Sequence, residues 1–464
     1  MRALVAPYRW RGAVIRPAIA GGAFWLLAIL AIVAVYFPPR HLISAQTAVT
    51  GLVGFCLLAI AARWPDRSLL ALIIVLPFSG FILAKLWALG VPTSIVRHLS
   101  AWKETLALGV IVAGARNFIA TGRRADAVDR LALGLVGIIV LYILGQKALA
   151  PSDHASMTVR LFAFRTEAGF VLLLLGARHA PLPENFLDRA ARAALAVAVL
   201  VAAVSVYEAL DSAAWNRFVV NTIHYTRYQI GVLHGSPPNP YDIRIWGNVG
   251  GTRFIRTGSV FDSALTCGFY LVLGFALGLE RVARGRGGRW ALLALLVIAA
   301  GLLLTQTRSA ILAALIVAWL AFRPAAGRRR HWRTQLAFVA AALAIVAVPA
   351  AISSGLSKRI TAPTSNADNS GHISAFWSGV HSIGHHPLGT GLATSAGAGQ
   401  QYQQTAGLVV PENNYLQVGV ELGVVGGLVF VALTVALVLS LRRAARRRPD
   451  PAIAAAAAAI AGLA

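Results

Sequence analysis

Apolar positions fall along this chain in runs separated by short polar segments, and most runs approach the ~20 residues that a membrane-spanning helix needs. The pattern predicts spans near 18–37, 43–62, 68–88, 101–120, 129–148, 160–178 and 190–210, then 259–281, 289–305, 308–322, 335–352 and 412–439. An Ala-rich run from 451 onward reads as a thirteenth span cut short. The expected fold class is an all-α, polytopic membrane protein of about twelve transmembrane helices with two long outer loops. Residues 1–210 form the N-terminal helices, 211–258 the first loop, 259–352 a second helical group, 353–411 the second loop and 412–464 the C-terminal helices.

Composition agrees: 58% of the 464 residues are hydrophobic and 13% charged, with mean hydropathy +0.69. A net charge of +25 would suggest nucleic acid in a soluble protein. The position of the charges excludes that reading, because the basic residues sit between apolar runs. Alternating the spans from a cytoplasmic N-terminus places Arg63 and Arg67, Arg116 to Arg130, Arg178 to Arg192, Arg281 to Arg289, Arg323 to Arg333 and Arg442 to Arg448 on the inside. Both long loops then face out. Cys56 and Cys267 lie within apolar runs, so neither a disulfide framework nor a metal cluster is indicated.

Interruptions carry further information. Pro77 and Gly80 break the third span. Between Trp290 and Phe322 two short apolar arms flank Thr305-Gln306-Thr307-Arg308-Ser309, and since both flanks are basic the stretch is a hairpin. Each arm reaches only ~20 to 23 Å at ~1.5 Å per residue, which holds Arg308 below the outer surface; its side chain either snorkels or binds an anion, and a tight turn, with little room for snorkelling, favours the anion. Gly274 and Gly278 form a GxxxG packing notch.

Several polar residues are candidates for chemistry. The sixth span must include Arg160, Arg165 and Glu167, where intramembrane charges mark either a ligand site or a structural ion pair. Lys103 and Glu104 at the start of the fourth read as interfacial anchors. Ser259 and Asp262 have the spacing of a capping box; the alternative is that this outward helix N-terminus, with Arg256 beside it, holds a phosphate or pyrophosphate. Trp215, Phe218, Tyr225, Tyr228, Tyr241 and Trp246 in the first loop suit either an interfacial belt or contacts to sugar faces. His372, His381, His385 and His386 match no ligand spacing, so no metal is assigned. Near the C-terminus, Pro411 suits a first helical position, and Asn414, Gln417 and Glu421 share one face of a helix that would descend from a shallow Glu412 to a deeper Glu421. Glu412 is either an anion complementing the helix dipole or a functional carboxylate.

Three features in order, Arg256-Thr-Gly-Ser-Val-Phe-Asp262, Leu304-Thr-Gln-Thr-Arg-Ser309, and Pro387-Leu-Gly-Thr-Gly391 followed by Glu412-Asn-Asn-Tyr-Leu-Gln417 and Glu421-Leu-Gly-Val-Val-Gly426, resemble the O-antigen ligase and Wzy-type polysaccharide polymerase superfamily. The resemblance covers roughly 250–440. It implies a metal-independent, cofactor-free glycosyltransferase of the bacterial inner membrane, acting at the periplasmic face on glycans carried by undecaprenyl pyrophosphate. A flippase and a chain-length regulator would be its partners, besides the bilayer. By resemblance Arg256 and Arg308 would hold the donor pyrophosphate; the chemistry also needs a base or acceptor for the attacking hydroxyl, for which Glu412 is the candidate, either taking the proton or orienting the hydroxyl. Arg160, Arg165, Asp262, Asn413, Asn414, Tyr415 and Gln417 are assigned to substrate binding. Ligases of this family usually carry histidine where this chain has Glu412, and that departure favours a polymerase of O-antigen, capsule or exopolysaccharide. The alternatives are a ligase to lipid A core, a non-catalytic partner in the same assembly, and a secondary transporter; the absence of a repeat between halves weighs against the last.

Overall fold

A computed structural model describes residues 45–149, 157–233, 241–249, 252–283, 288–322, 367–395 and 413–447. The expected spans at 18–37 and 335–352, the run after 451, Pro411 and Glu412 lie outside these residues. Apart from α4, which falls between two expected spans, these helices form where the apolar runs predict them: α1 (Ala45–Arg63), α2 (Pro65–Val75), α3 (Ser79–Ala88), α4 (Thr93–Leu99), α5 (Trp102–Thr121), α6 (Ala127–Leu149), α7 (Met157–His179) and α8 (Phe186–Leu210). After α9 (Ser212–Arg217) and α10 (Tyr225–Gly231) come strands β1 (Ile245–Val249) and β2 (Thr252–Arg256). Then follow α11 (Ala264–Ala283), α12 (Gly288–Leu304), α13 (Arg308–Phe322), α14 (Ala367–His385) and α15 (Asn414–Arg447). Among the described residues five stretches are long and apolar enough to cross a membrane, Pro65–Ala88, Ala127–Gly145, Phe186–Leu210, Ala264–Val282 and Asn414–Ala444. The protein is a multi-pass membrane protein with a helical frame. The all-α expectation needs one amendment, because β1 and β2 pair as an antiparallel hairpin, Ile245 opposite Arg256.

Two buried clusters organise the frame. One joins α8, α11, α12 and α13 around Val201, Leu271 and Ile298; the other joins α6, α7 and α15 around Ile139, Ala163 and Leu433. Between them α5 packs on α1, α2 and α7, and α2 packs on α8. Lipid tails are as apolar as leucine, so close packing rather than transfer from water drives such contacts, and small residues favour it. The GxxxG notch does this: a Cβ on Gly274 would lie 2.3 Å from the Ala198 Cβ of α8.

Ion pairs fasten one end of the bundle. Arg178 at the C-terminus of α7 reaches Asp126 at 2.7 Å and Asp129 at 3.2 Å; Arg189 of α8 reaches Asp66 of α2 at 3.3 Å, and Arg281 of α11 reaches Asp188 at 3.6 Å. The starts of α2, α6 and α8 and the ends of α7 and α11 therefore share one side. Those are the ends to which charge alternation assigns the basic clusters. The first long loop caps the opposite side.

Pro77 does break the third apolar run, at a 3-10 turn over Leu76–Phe78 between α2 and α3. The C-terminal run departs further from expectation. It is not one straight helix, because Gly423 adopts φ 69° and ψ −171°, a region open essentially to glycine. The chain folds back there. The Tyr415 and Phe430 rings meet at 5.3 Å between centroids, and a Cβ on Gly427 would lie 3.2 Å from the Gly419 Cα. In a straight helix residues fifteen apart would be separated by ~22 Å. The expected single helix running on to 439 is therefore replaced by a short arm, 414–422, folded against a long arm, 424–447.

Candidate functional site

The β2–α11 turn and the α12–α13 tip meet. Thr257 donates its N–H to the Leu304 carbonyl at 3.2 Å, and Thr307 Oγ1 donates to the Ala264 carbonyl at 3.1 Å. Arg256 lies along the tip: its Nε donates to the Thr305 carbonyl and its Nη2 to Thr307 Oγ1, both at 3.2 Å. The tip is a tight turn with Gln306 at φ 51°, tied by Thr305 Oγ1 to the Leu302 carbonyl at 2.7 Å. Thr305, Gln306 and Thr307 are buried while Arg308 opens α13 exposed. Two guanidinium groups from separate motifs thus belong to one tip, and the hairpin expected from the basic flanks is present.

The capping box at Ser259 and Asp262 is not. Helix α11 starts at Ala264, and Ser263 caps it by accepting the Leu265 N–H at 3.2 Å. Asp262 stands exposed in the turn before the helix. The Ser259 N–H is not open to an external phosphate either, since it donates to Glu208 Oε2 at 2.7 Å, and the Gly258 N–H faces the same carboxyl. Ser259 Oγ donates to the Val201 carbonyl at 2.8 Å. Glu208, on the last turn of α8 and 2% exposed, is a residue that sequence reasoning missed. Its only signal was a lone carboxylate near the end of an apolar run, which reads as an interfacial charge.

Beside this turn Trp215, Phe218, Tyr225 and Tyr228 of the first loop form a cluster. Trp215 and Tyr225 pack on Phe81 of α3 at centroid distances of 6.0 and 5.1 Å. Trp215 and Tyr228 are buried, whereas Tyr241 is exposed; the Trp246 side chain lies outside the described residues. Lys85 Nζ donates to the Thr222 carbonyl at 2.8 Å and Arg97 Nε to the Val232 carbonyl at 3.2 Å, fastening this cap to α3 and α4. Burial, with the neighbouring Asp262 charge, pushes the Tyr225 phenol up from its ordinary value.

A second constellation surrounds the Gly423 reversal. The Pro387–Gly391 segment docks on it: Thr390 donates its N–H to the Val420 carbonyl at 2.8 Å, Gly391 to the Glu421 carbonyl at 3.1 Å, and Val424 to the Pro387 carbonyl at 2.9 Å. These bonds satisfy backbone groups that the break leaves without helical partners. Glu421 is fully buried and accepts from the Ala393 N–H, the Ser395 N–H and the Ser395 hydroxyl. The Glu167 carboxyl of α7 lies against it. Glu421 is thus committed to holding a loop.

The remaining expected substrate residues divide. Asn413 Oδ1 accepts the Tyr415 N–H at 2.8 Å and caps α15, whose described part begins at Asn414. Tyr415 packs on Phe430; Asn414 is exposed and Gln417 half-buried. Arg165 pairs with Glu104, the ion-pair alternative rather than a free cation, and Arg160 has a buried Nε without a hydrogen-bond partner. Both stand on α7, which packs mainly on α5 and α6. His381 and His385 of α14 touch through their Nε2 atoms at 2.9 Å. Among the described residues no group of three or more His, Cys, Asp or Glu is placed to hold a metal.

A search among curated proteins finds no match to this chain. Residues 293–431 match the family model described as O-Antigen ligase, Wzy_C. That stretch contains the hairpin tip, the Pro387–Gly391 segment and the Gly423 reversal, and over it the chain is similar to the O-antigen ligase family.

Proposed function

We propose that the protein is a glycosyltransferase that takes glycan repeats from undecaprenyl pyrophosphate at the periplasmic face of the bacterial inner membrane and adds them to a growing polysaccharide. The observation that carries this reading is the seating of Arg256 against the tip that ends in Arg308. Displacing a lipid pyrophosphate builds negative charge on the leaving phosphate, and preorganised guanidinium groups stabilise that charge where water is excluded. The acceptor hydroxyl oxygen forms a bond to the anomeric carbon as the carbon–phosphate oxygen bond breaks with its electron pair. The hydroxyl proton passes to Glu412, immediately before the Asn413 cap, and attack from the face opposite the leaving group inverts the centre. The fastened end of the bundle, with its arginines, is the cytoplasmic end.

The matched family's description favours a second reading, a ligase that moves finished glycan to a lipid acceptor. The two differ in what accumulates when the site is disabled. Cells carrying Glu412→Gln should accumulate single repeats on the lipid carrier. Accumulation of full-length polymer on the carrier would overturn the polymerase reading in favour of the ligase, and normal polysaccharide would remove Glu412 from the chemistry.

A further inference from the structure

We propose that Glu208 is a positioning residue: its buried carboxylate occupies the anion nest formed by the Gly258 and Ser259 N–H groups and thereby aims Arg256 at the hairpin tip. The proposal rests on Arg256 as a donor-binding residue and adds a part outside the matched segment. Successive backbone N–H groups in a turn make a concavity that binds anions. In this chain a carboxylate supplied by α8 fills it, at 2.7 Å from the Ser259 nitrogen.

Strain explains why the turn needs such a partner. Ser259 adopts φ 55°, a left-handed conformation that is strained for a residue with a side chain. It persists where surrounding contacts over-determine it. Here the contacts are Glu208 on the N–H and the Val201 carbonyl on the hydroxyl, both from α8. Gly258 allows the approach, since a Cβ there would lie 2.7 Å from Ile245 Cδ1 and 2.8 Å from the Phe261 carbonyl oxygen. Three residues before Ser259 stands Arg256, whose Nε and Nη2 meet Thr305 and Thr307. The turn therefore links the rigid end of α8 to the direction of one guanidinium. Glu208 is buried away from any substrate and acts only through that turn.

The test uses purified full-length protein in proteoliposomes with an undecaprenyl-pyrophosphate-linked donor. Glu208→Ala should raise the donor KM and lower kcat/KM for donor by about tenfold to a hundredfold, the scale of a small misplacement of a binding group, while the acceptor KM stays unchanged. Glu208→Gln keeps an acceptor oxygen and should fall between Ala and wild type. Ser259→Gly, which adopts positive φ without strain, should restore part of the loss in Glu208→Ala. In an Arg256→Lys background Glu208→Ala should cost little more, as expected of residues acting through one unit. Hydrogen exchange of the 255–262 backbone gives a readout independent of activity: Glu208→Ala should accelerate it. Unchanged exchange there would overturn the proposal whatever the kinetics. Faster exchange with wild-type donor kinetics in Arg256→Lys would instead overturn the role given to Arg256 while leaving the anchoring contact intact. Equal loss of donor and acceptor affinity, additive with Arg256→Lys, would reduce Glu208 to a general structural part.

Discussion

The Glu421 carboxylate accepts both the hydroxyl and the N–H of Ser395, at 2.7 and 3.1 Å, through Oε1. Neither residue is exposed to solvent. Removing the carboxylate leaves the Ala393 and Ser395 donors buried and unpaired, which costs about 1–3 kcal/mol for each such group. Glu421→Ala should therefore lower the midpoint of thermal unfolding in detergent well below that of Ser395→Ala, which removes only the hydroxyl bond. Equal midpoints would show that the loop is held by something other than Glu421.

Gly423 and Gly389 should tolerate no side chain. A Cβ on Gly423 would lie 2.3 Å from the Pro387 carbonyl oxygen, and one on Gly389 2.4 Å from the Glu421 carbonyl oxygen. Both neighbours are backbone, and both glycines have positive φ. Gly423→Ala should destabilise by about 3 kcal/mol or more, combining strain and clash, whereas Gly134→Ala on α6, where nothing lies within 4 Å, should be neutral or stabilising. Unfolding midpoints of the two variants decide this.

At the tip, lysine keeps charge but loses the planar fork. Arg256→Lys and Arg308→Lys should each lower donor turnover while the protein still inserts, and Thr307→Val should do so less, because it removes one hydroxyl bonded to Arg256 Nη2 and to the Ala264 carbonyl. Wild-type turnover in both lysine variants would take the pair out of the site.

Orientation can be read with single cysteines. A cysteine replacing exposed Tyr241 should react with an impermeant thiol reagent once the outer membrane is permeabilised, and one replacing exposed Arg123 only after the inner membrane is lysed. The reverse pattern would invert the topology.

Tyr225 supplies a pH dependence. Burial, then the nearby Asp262 charge, raise its phenol above the ordinary value, so the folded state holds the proton longer than the unfolded chain does. Its contribution is fully present below the unfolded value of ~10 and is lost as pH rises beyond it. Tyr225→Phe should flatten the alkaline arm of the stability profile above that pH; an unchanged arm would assign the loss to other groups.

Much of the frame was legible because it depends on local properties. Pro77 lacks an N–H and breaks its run wherever it is placed, and basic flanks on both sides of Trp290–Phe322 permit only a hairpin. The site was partly legible: Arg256 and Arg308 were marked by their motifs and do share one tip. Glu208 was not, because its partner Ser259 is 51 residues away and the spacing of Ser259 and Asp262 imitates a local cap. The reversal at Gly423 was also hidden. Glu421 to Gly427 reads as part of one span, and only the distant Pro387–Gly391 segment supplies the bonds that make a break tolerable. The aromatic residues of the first loop suggested exposed surfaces because composition does not reveal that Phe81 would receive them.

The Gly423 reversal also sets an order of events during synthesis. The short arm 414–422 has about nine residues and reaches ~14 Å, too little to cross a ~30 Å core by itself. The long arm, with Arg442 and Arg443 at its far end, is the part that partitions into lipid as the ribosome delivers it. The short arm can settle only afterwards, on a surface made by its own successor and by the loop that preceded it. The Gly423 reversal is therefore closed only after the long arm has entered the membrane, and a chain stalled between those two steps would hold the long arm in lipid yet lack its Glu421-centred anchor.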